Sequence, residues 1–175
     1  VIGIAFSDLH LGEYPKFNEE NKRTLSIFRV LYLIKDLCIK YKCPAFFSGD
    51  FMHRPEYIST SLEEIIIEKF EELNRCEEFN IYGISGNHDL QKSNSIDRRS
   101  PSHWANLCNR YSFLHNLDFS YHEFDKFRVV GIPYLDHNKG LDTLIKAQMN
   151  EAMLKPTILL LHTDYPGAKD TDNTE

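Results

Sequence analysis

Apolar residues in this chain fall into short unbroken runs separated by longer amphipathic stretches, and several runs end in residues that can bind metals or move protons. Residues 1–6 form the first run and lead into Ser7-Asp8-Leu9-His10. After a polar loop, Leu25, Phe28, Leu31, Ile34, Leu37 and Tyr41 recur at the spacing of one helix face, and Pro44 stops that helix. Residues 45–47 form the second run and lead into Ser48-Gly49-Asp50. Ser61 and Glu64 have capping-box spacing, which predicts a second helix with one face through Leu62, Ile65, Ile66, Phe70 and Leu73. Residues 81–84 form the third run and lead into Ser85-Gly86-Asn87-His88-Asp89. This β-α-β-α-β order predicts a parallel sheet with helices packed on its faces.

The rest of the chain is less regular. Residues 91–102 are polar and turn-rich, and 104–111 read as a short helix. Residues 119–124 and 127–132 flank Asp125-Lys126 as a hairpin with alternating pattern, and 138–154 read as a helix closed by Pro156. A last apolar run, 157–161, ends in His162. In an open α/β sheet, ligands gather outside the carboxyl ends of the strands. Asp8, His10, Asp50, Asn87, His88 and His162 are therefore expected to converge. Alternate side chains of an extended segment share a side, so Asp8 and His10 can reach one ion. A carboxylate has two oxygens, so Asp50 can bridge two ions, with Asn87 and His162 on the second. Mixed carboxylate, imidazole and amide donors suit manganese, iron or zinc better than the oxygen-only preference of magnesium or calcium.

Composition narrows the setting. The 175 residues suffice for one well-cored domain, and 42% hydrophobic with 26% charged residues is ordinary for a globular protein. A net charge of -6 argues against a broad basic surface for nucleic-acid phosphates, although a metal site can itself supply positive charge. No apolar run approaches the ~18 residues of a bilayer span, so no membrane partner is expected. Cys38, Cys43, Cys76 and Cys108 have no CxxC spacing and read as reduced thiols of a cytoplasmic protein. His103, His115, His122 and His137 carry no motif context and read as surface or packing residues. Lys92 with Arg98 and Arg99 reads as a solvated basic cluster, and the acidic residues after Asp164 as a solvated tail.

Taken together, Asp8-Leu9-His10, Gly49-Asp50, Gly86-Asn87-His88-Asp89 and the late strand-end His162 resemble the signature motifs of the calcineurin-like metallophosphoesterases, over nearly the whole chain. The resemblance implies an α/β fold with a metallophosphoesterase-type β-sandwich core, mixed sheets with parallel βαβ units flanked by helices, as a single domain over 1–175. It implies two divalent metal ions, one held by Asp8, His10 and Asp50 and the other by Asp50, Asn87 and His162, with manganese expected and iron, zinc or magnesium as alternatives. It makes His88 the catalytic histidine, and Asp89 is expected on the other ring nitrogen of His88. The family also carries a Gly-His-x-His motif after the strand that ends in His162. Residues 163–175 contain nothing of that form, so a fragment truncated at its C-terminal side is expected.

Ser7-Asp8-Leu9-His10-Leu11-Gly12 and Gly49-Asp50-Phe51-Met52-His53 are similar to the SbcD/Mre11 nuclease branch of that family. His53 reads either as a cleft residue or as a loop histidine in solvent. That resemblance implies DNA as substrate, an SbcC/Rad50-like ATPase as partner and a possible homodimer. A phosphoesterase for small substrates such as phosphomonoesters or cyclic nucleotides, and an inactive metal-poor scaffold, stay open as alternatives.

Overall fold

The computed structural model describes residues 1–13, 22–53, 58–90, 102–135, 143, 145–146 and 155–163. The helix expected over 138–154 lies outside them apart from Thr143, Ile145 and Lys146, which are helical. His137, the Lys92, Arg98 and Arg99 cluster and the acidic terminus also lie outside them.

Strand β1 (Ile4–Phe6), helix α1 (Lys22–Tyr41), β2 (Ala45–Phe47), α2 (Thr60–Asn74), β3 (Ile81–Gly83), α3 (His103–Arg110) and β4 (Leu114–Asn116) alternate along the chain. The four strands are parallel, in the order β1-β2-β3-β4. Because each crossover steps the same way along the sheet, right-handed connections place all three helices on one face. The packing agrees, since Phe28 and Leu31 of α1, Leu62 and Phe70 of α2 and Trp104 of α3 share a core with Ala45, Phe47 and Ile81. The β-α-β pattern predicts helices packed against the sheet, and these three share one of its faces. A strand order that never reverses leaves the second face to something else.

That face carries a second sheet. Strands β5 (Ser120–Glu123), β6 (Arg128–Ile132) and β7 (Thr157–Leu161) pair in that order, β5 antiparallel to β6 and β6 parallel to β7. Side chains alternate across a strand, so Phe46 of β2 and Tyr82 of β3 point away from the helices. They meet Val129 of β6 and Leu160 of β7 in a separate core with Ile84 and Leu117. The α/β fold is thus helices, parallel sheet and mixed sheet in layers, the sandwich that the motif resemblance implies. His162 therefore enters from the second sheet and not from the sheet that carries the other three strand ends.

Several local expectations shift. The buried stripe of α1 is Thr24, Phe28, Leu31, Ile34 and Cys38, whereas Leu25 and Tyr41 are exposed. The cap of α2 is Ser59, two residues before the expected Ser61: its side chain accepts from Leu62 N at 3.4 Å. The backbone N–H of Ser59 donates to Glu13 Oε1 at 2.9 Å, so an acid from the loop after β1 does the work that the third helical residue does in a capping box. Strand β4 was not foreseen, because Leu-His-Asn shows no alternation that three residues could display.

Tyr82, on the face between the sheets, lies between two imidazoles, with ring centroids of His115 and His122 each 4.4 Å away. His115 Nε2 is 2.8 Å from Asn80 Oδ1. Burial first, and the neighbouring His122 second, hold His115 below its ordinary value of 6.5. The unfolded chain therefore takes up this proton more readily than the folded one. Stability from this group is complete above pH 6.5 and is lost as pH falls toward the lowered folded value. In urea melts at about pH 7.5 and about pH 5.5, the wild type should lose more stability on acidification than His115→Gln, which cannot titrate.

Candidate metal centre

The site is assembled where the loops after β1, β2 and β3 run side by side. Asp8 N donates to Gly49 O at 3.0 Å, His10 N to Asp50 O at 3.0 Å, and Leu11 N to Phe51 O at 2.8 Å, so the first two loops continue the parallel pairing past the strands. Three side-chain-bearing residues in them, Asp8, His10 and Asp50, adopt left-handed backbone with φ of 55°, 48° and 62°. Each such residue costs about 1–2 kcal/mol relative to ordinary backbone. The turn brings their side chains to one side of the strand ends. Gly49 and Gly86 permit the close approach: a Cβ at Gly49, whose φ is 104°, would lie 2.5 Å from His162 Nδ1, and one at Gly86 would lie 2.1 Å from Asp50 Oδ1.

Asp89 holds this arrangement from beneath. Its fully buried carboxylate accepts from four backbone amides: Asp50 N at 2.9 Å, Phe51 N at 3.0 Å, Met52 N at 2.9 Å and Gly86 N at 2.8 Å. Burial pushes its pKa up to about 6, while the amides of Met52, Gly86 and Phe51 pull the other way by favouring the charged form. The sequence reading placed Asp89 on the ring of His88. In the structure that position belongs to a backbone carbonyl, since His88 Nδ1 lies 2.9 Å from His53 O. The correction has a simple cause: the Asp89 side chain turns inward to the amides of the 50–52 loop and is spent there.

Two donor clusters share Asp50. In the first, His10 Nε2 is 3.6 Å from Asp8 Oδ1 and 3.6 Å from Asp50 Oδ2, and the three residues offer atoms all within 4.8 Å of one another. Burial is the main reason that His10 sits below its ordinary pKa, against the opposing pull of Asp50 and Asp8, and the neutral imidazole is the form that binds metals. In the second, His162 Nε2 is 3.5 Å from Asp50 Oδ1 and 3.0 Å from Asn87 Oδ1. His162 Nδ1 lies 2.8 Å from Ser48 O. A carbonyl only accepts, so Nδ1 carries the proton, and Nε2 is the ring nitrogen turned toward Asn87 and Asp50. With the Asn87 oxygen inward, three acceptors face one another, which is the donor chemistry of a cation site. Turned over, the Asn87 amide nitrogen would donate to Asp50 Oδ1 and Oδ2, each at 3.2 Å, and to His162 Nε2 at 3.0 Å.

Asp50 itself is 4% exposed, and its Oδ1 also accepts from His88 N at 2.9 Å. One buried carboxylate thus faces both clusters, and the mixed carboxylate, imidazole and amide donors are of the kind that hold divalent ions. A further group of imidazoles, His10, His53 and His88, lies beside the first cluster: His53 stacks on His88 with centroids 5.5 Å apart, and His10 meets His88 edge-on at 4.8 Å. His53 is therefore half-buried against two histidine rings and not a loop histidine in solvent. A cavity of about 390 Å³ opens beside Asp8, Asn87, Tyr134 and His162.

Sequence reasoning did not find Ser48, whose carbonyl sets the His162 tautomer, or Tyr134. The latter follows β6 and would have been found by inspecting every strand end rather than only those rich in acids and histidines.

The chain belongs to the calcineurin-like phosphoesterase family, whose sequence description it matches over residues 4–175. No match was found among curated proteins. One solved structure to which the chain is similar is the nuclease MPE of Pseudomonas putida, with TM-score 0.43 and 14% sequence identity, covering 90% of this chain and 59% of that one. The chain thus spans 59% of the length of that structure. Among the described residues, no helix is long and apolar enough to cross a membrane.

Removing the Asp89 carboxylate leaves four buried amides without an acceptor. Asp89→Ala should lower unfolding stability by about 3–5 kcal/mol in urea titration, with Asp89→Asn less damaging because its one carbonyl oxygen can still accept. A loss below about 1 kcal/mol for the alanine variant would remove Asp89 from this role.

Proposed function

We propose that this chain is a single metallophosphoesterase domain that hydrolyses phosphodiesters, with DNA as the substrate class and two divalent ions, manganese foremost, as cofactors. The observation that carries the reading is the Asp50 carboxylate, which turns one oxygen to the Asp8–His10 cluster and the other to the Asn87–His162 cluster. Asp8, His10 and Asp50 would hold one ion, and Asp50, Asn87 and His162 the other. When bound, the ions supply an activated water at neutral pH and offset charge on the phosphoryl oxygens.

The chain's own residues do the rest. His88 keeps its Nδ1 proton on the His53 carbonyl, which leaves Nε2 as the nitrogen that serves the substrate. When doubly protonated, the imidazolium passes its Nε2 proton to the leaving oxygen as the phosphorus–oxygen bond breaks, and the ring is left neutral with its Nδ1 proton in place. Because that acceptor is the backbone of residue 53, the tautomer of His88 survives any substitution of the His53 side chain. The His53 ring, stacked on His88, walls the cleft on the side where the leaving group departs.

The nuclease reading is supported by the Ser7–Gly12 and Gly49–His53 motifs and by the place of His53 beside His88. An SbcC/Rad50-like ATPase partner, a homodimer and a cytoplasmic setting accompany that reading. The net charge of -6 favours a second reading, a phosphoesterase for small substrates, in which the ions alone attract the phosphate.

Manganese-dependent hydrolysis should be measured on bis(p-nitrophenyl) phosphate and on short single- and double-stranded DNA, using the full native chain. Chelation should abolish activity. Asp50→Ala should lose ion binding and turnover together. His88→Ala should keep its ions yet lose about 10²- to 10⁴-fold in turnover on substrates with poor leaving groups. Turnover of the small diester without DNA degradation would select the second reading, and ion-free, inactive protein would return the scaffold alternative.

A further inference from the structure

The two donor clusters differ in where their parts come from. Asp8, His10 and Asp50 all hang from loops of the first sheet, joined to one another by backbone bonds and by Asp89. Asn87 hangs from the first sheet and His162 from the second, so their 3.0 Å separation depends on how the two sheets sit against each other. Apolar packing between the sheets sets their distance but is non-directional. The Ser48 carbonyl already fixes the His162 ring from the loop after β2, so what is left to a second polar fastening is the place of Asn87.

The structure assigns that fastening to Asp118, which we propose is the positioning residue for the ion held by Asn87 and His162. Asp118 Oδ1 accepts from Ser85 N at 2.8 Å, and Oδ2 accepts from Ser85 Oγ at 2.6 Å. The Ser85 hydroxyl proton is thereby committed, so the 2.6 Å contact with Ser102 Oγ is a bond donated by Ser102. Ser102 Oγ accepts in turn from Ala105 N at 2.9 Å, at the start of α3. The remaining polar group of Ser85, its carbonyl, accepts from Tyr134 N at 3.0 Å. Tyr134 lies two residues past the end of β6, the strand paired with β7, and its ring is edge-on to His162 with centroids 6.2 Å apart.

Every hydrogen-bonding group of Ser85 is thus used, and its partners come from the turn before β5, the cap of α3 and the end of β6. Ser85 stands two residues before Asn87. Asp118 holds Ser85 on the first-sheet side while Tyr134 ties the same residue to the second sheet, so the pair fixes Asn87 against His162. Neither Asp8 nor His10, the two members peculiar to the other cluster, has a part in this chain of bonds. Asp118 therefore acts on one ion of the two.

This inference rests on the two-ion reading above, and the test separates the two. Manganese binding to the full native chain is followed by calorimetric titration and by electron paramagnetic resonance, whose exchange coupling reports a paired site. The wild type should bind two ions. Asp118→Ala should bind the first as the wild type does and the second about 10- to 100-fold more weakly, with loss of the coupled signal. Asp118→Asn, which keeps an acceptor for Ser85 N and offers a donor to Ser85 Oγ, should restore the second ion to within about three-fold of the wild type. Ser85→Ala, which keeps the backbone bond to Asp118, should fall between them and serves if Asp118→Ala does not fold. Equal weakening of both ions, or of neither, in Asp118→Ala or in Ser85→Ala would overturn the inference while leaving the two-ion reading intact. A wild type that binds fewer than two ions would overturn both.

Discussion

The structure depends on one buried carboxylate. Asp89 gathers the amides of Asp50, Phe51, Met52 and Gly86, and so closes the loop after β2 against the loop after β3. Three left-handed residues crowd the neighbouring turns, and a loop left to itself would relax out of that conformation. Hydrogen bonds to a charged acceptor contribute about 1.5–3 kcal/mol each, enough in sum to outweigh the backbone strain. The donors of the first cluster point inward because the backbone beneath them cannot turn away. Asp50 is held from both ends, by its own N–H on Asp89 and by its Oδ1 on His88 N.

The layering follows from a simpler constraint. A parallel sheet whose order never reverses puts its crossovers on one side, and its bare side must be covered. In this chain the cover is the β5-β6-β7 sheet, and covering the sheet also delivers His162. Fold and chemistry are coupled here: the strand that buries Leu160 against the inner core ends at Leu161, directly before the imidazole that faces Asn87. The helical side, by contrast, supplies packing and a few polar anchors, among them Trp104 Nε1 on Gly83 O at 3.0 Å and Thr24 Oγ1 on Gly12 O at 3.3 Å.

Much of this was legible in the sequence because its signals are local. Short apolar runs followed by acids, amides and histidines at one- or two-residue spacing identify both a strand and its chemistry, and the first three strands, α3 and the β5-β6 hairpin lie where the pattern places them. What escaped is what distance along the chain conceals. Asp89 stands next to His88 in sequence, and that adjacency suggested a dyad, whereas its partners are backbone amides, which every residue possesses and none advertises. Ser85 and Asp118 are brought together across 33 residues, with no motif to join them. The stripe of α1 was misplaced at its ends because Leu25 is more apolar than Thr24 and Tyr41 is larger than Cys38, yet the small residues are the ones that fit under the sheet.

The Asn87 amide has two faces of nearly equal shape and opposite polarity. With its oxygen inward it completes a ring of acceptors around one point, and with its nitrogen inward it donates to Asp50 and His162 at 3.0–3.2 Å. The protein thus carries a built-in stand-in for a cation, able to satisfy the surrounding lone pairs by a half-turn of one side chain. A cation placed among these lone pairs would take over the bonds that the amide nitrogen otherwise makes.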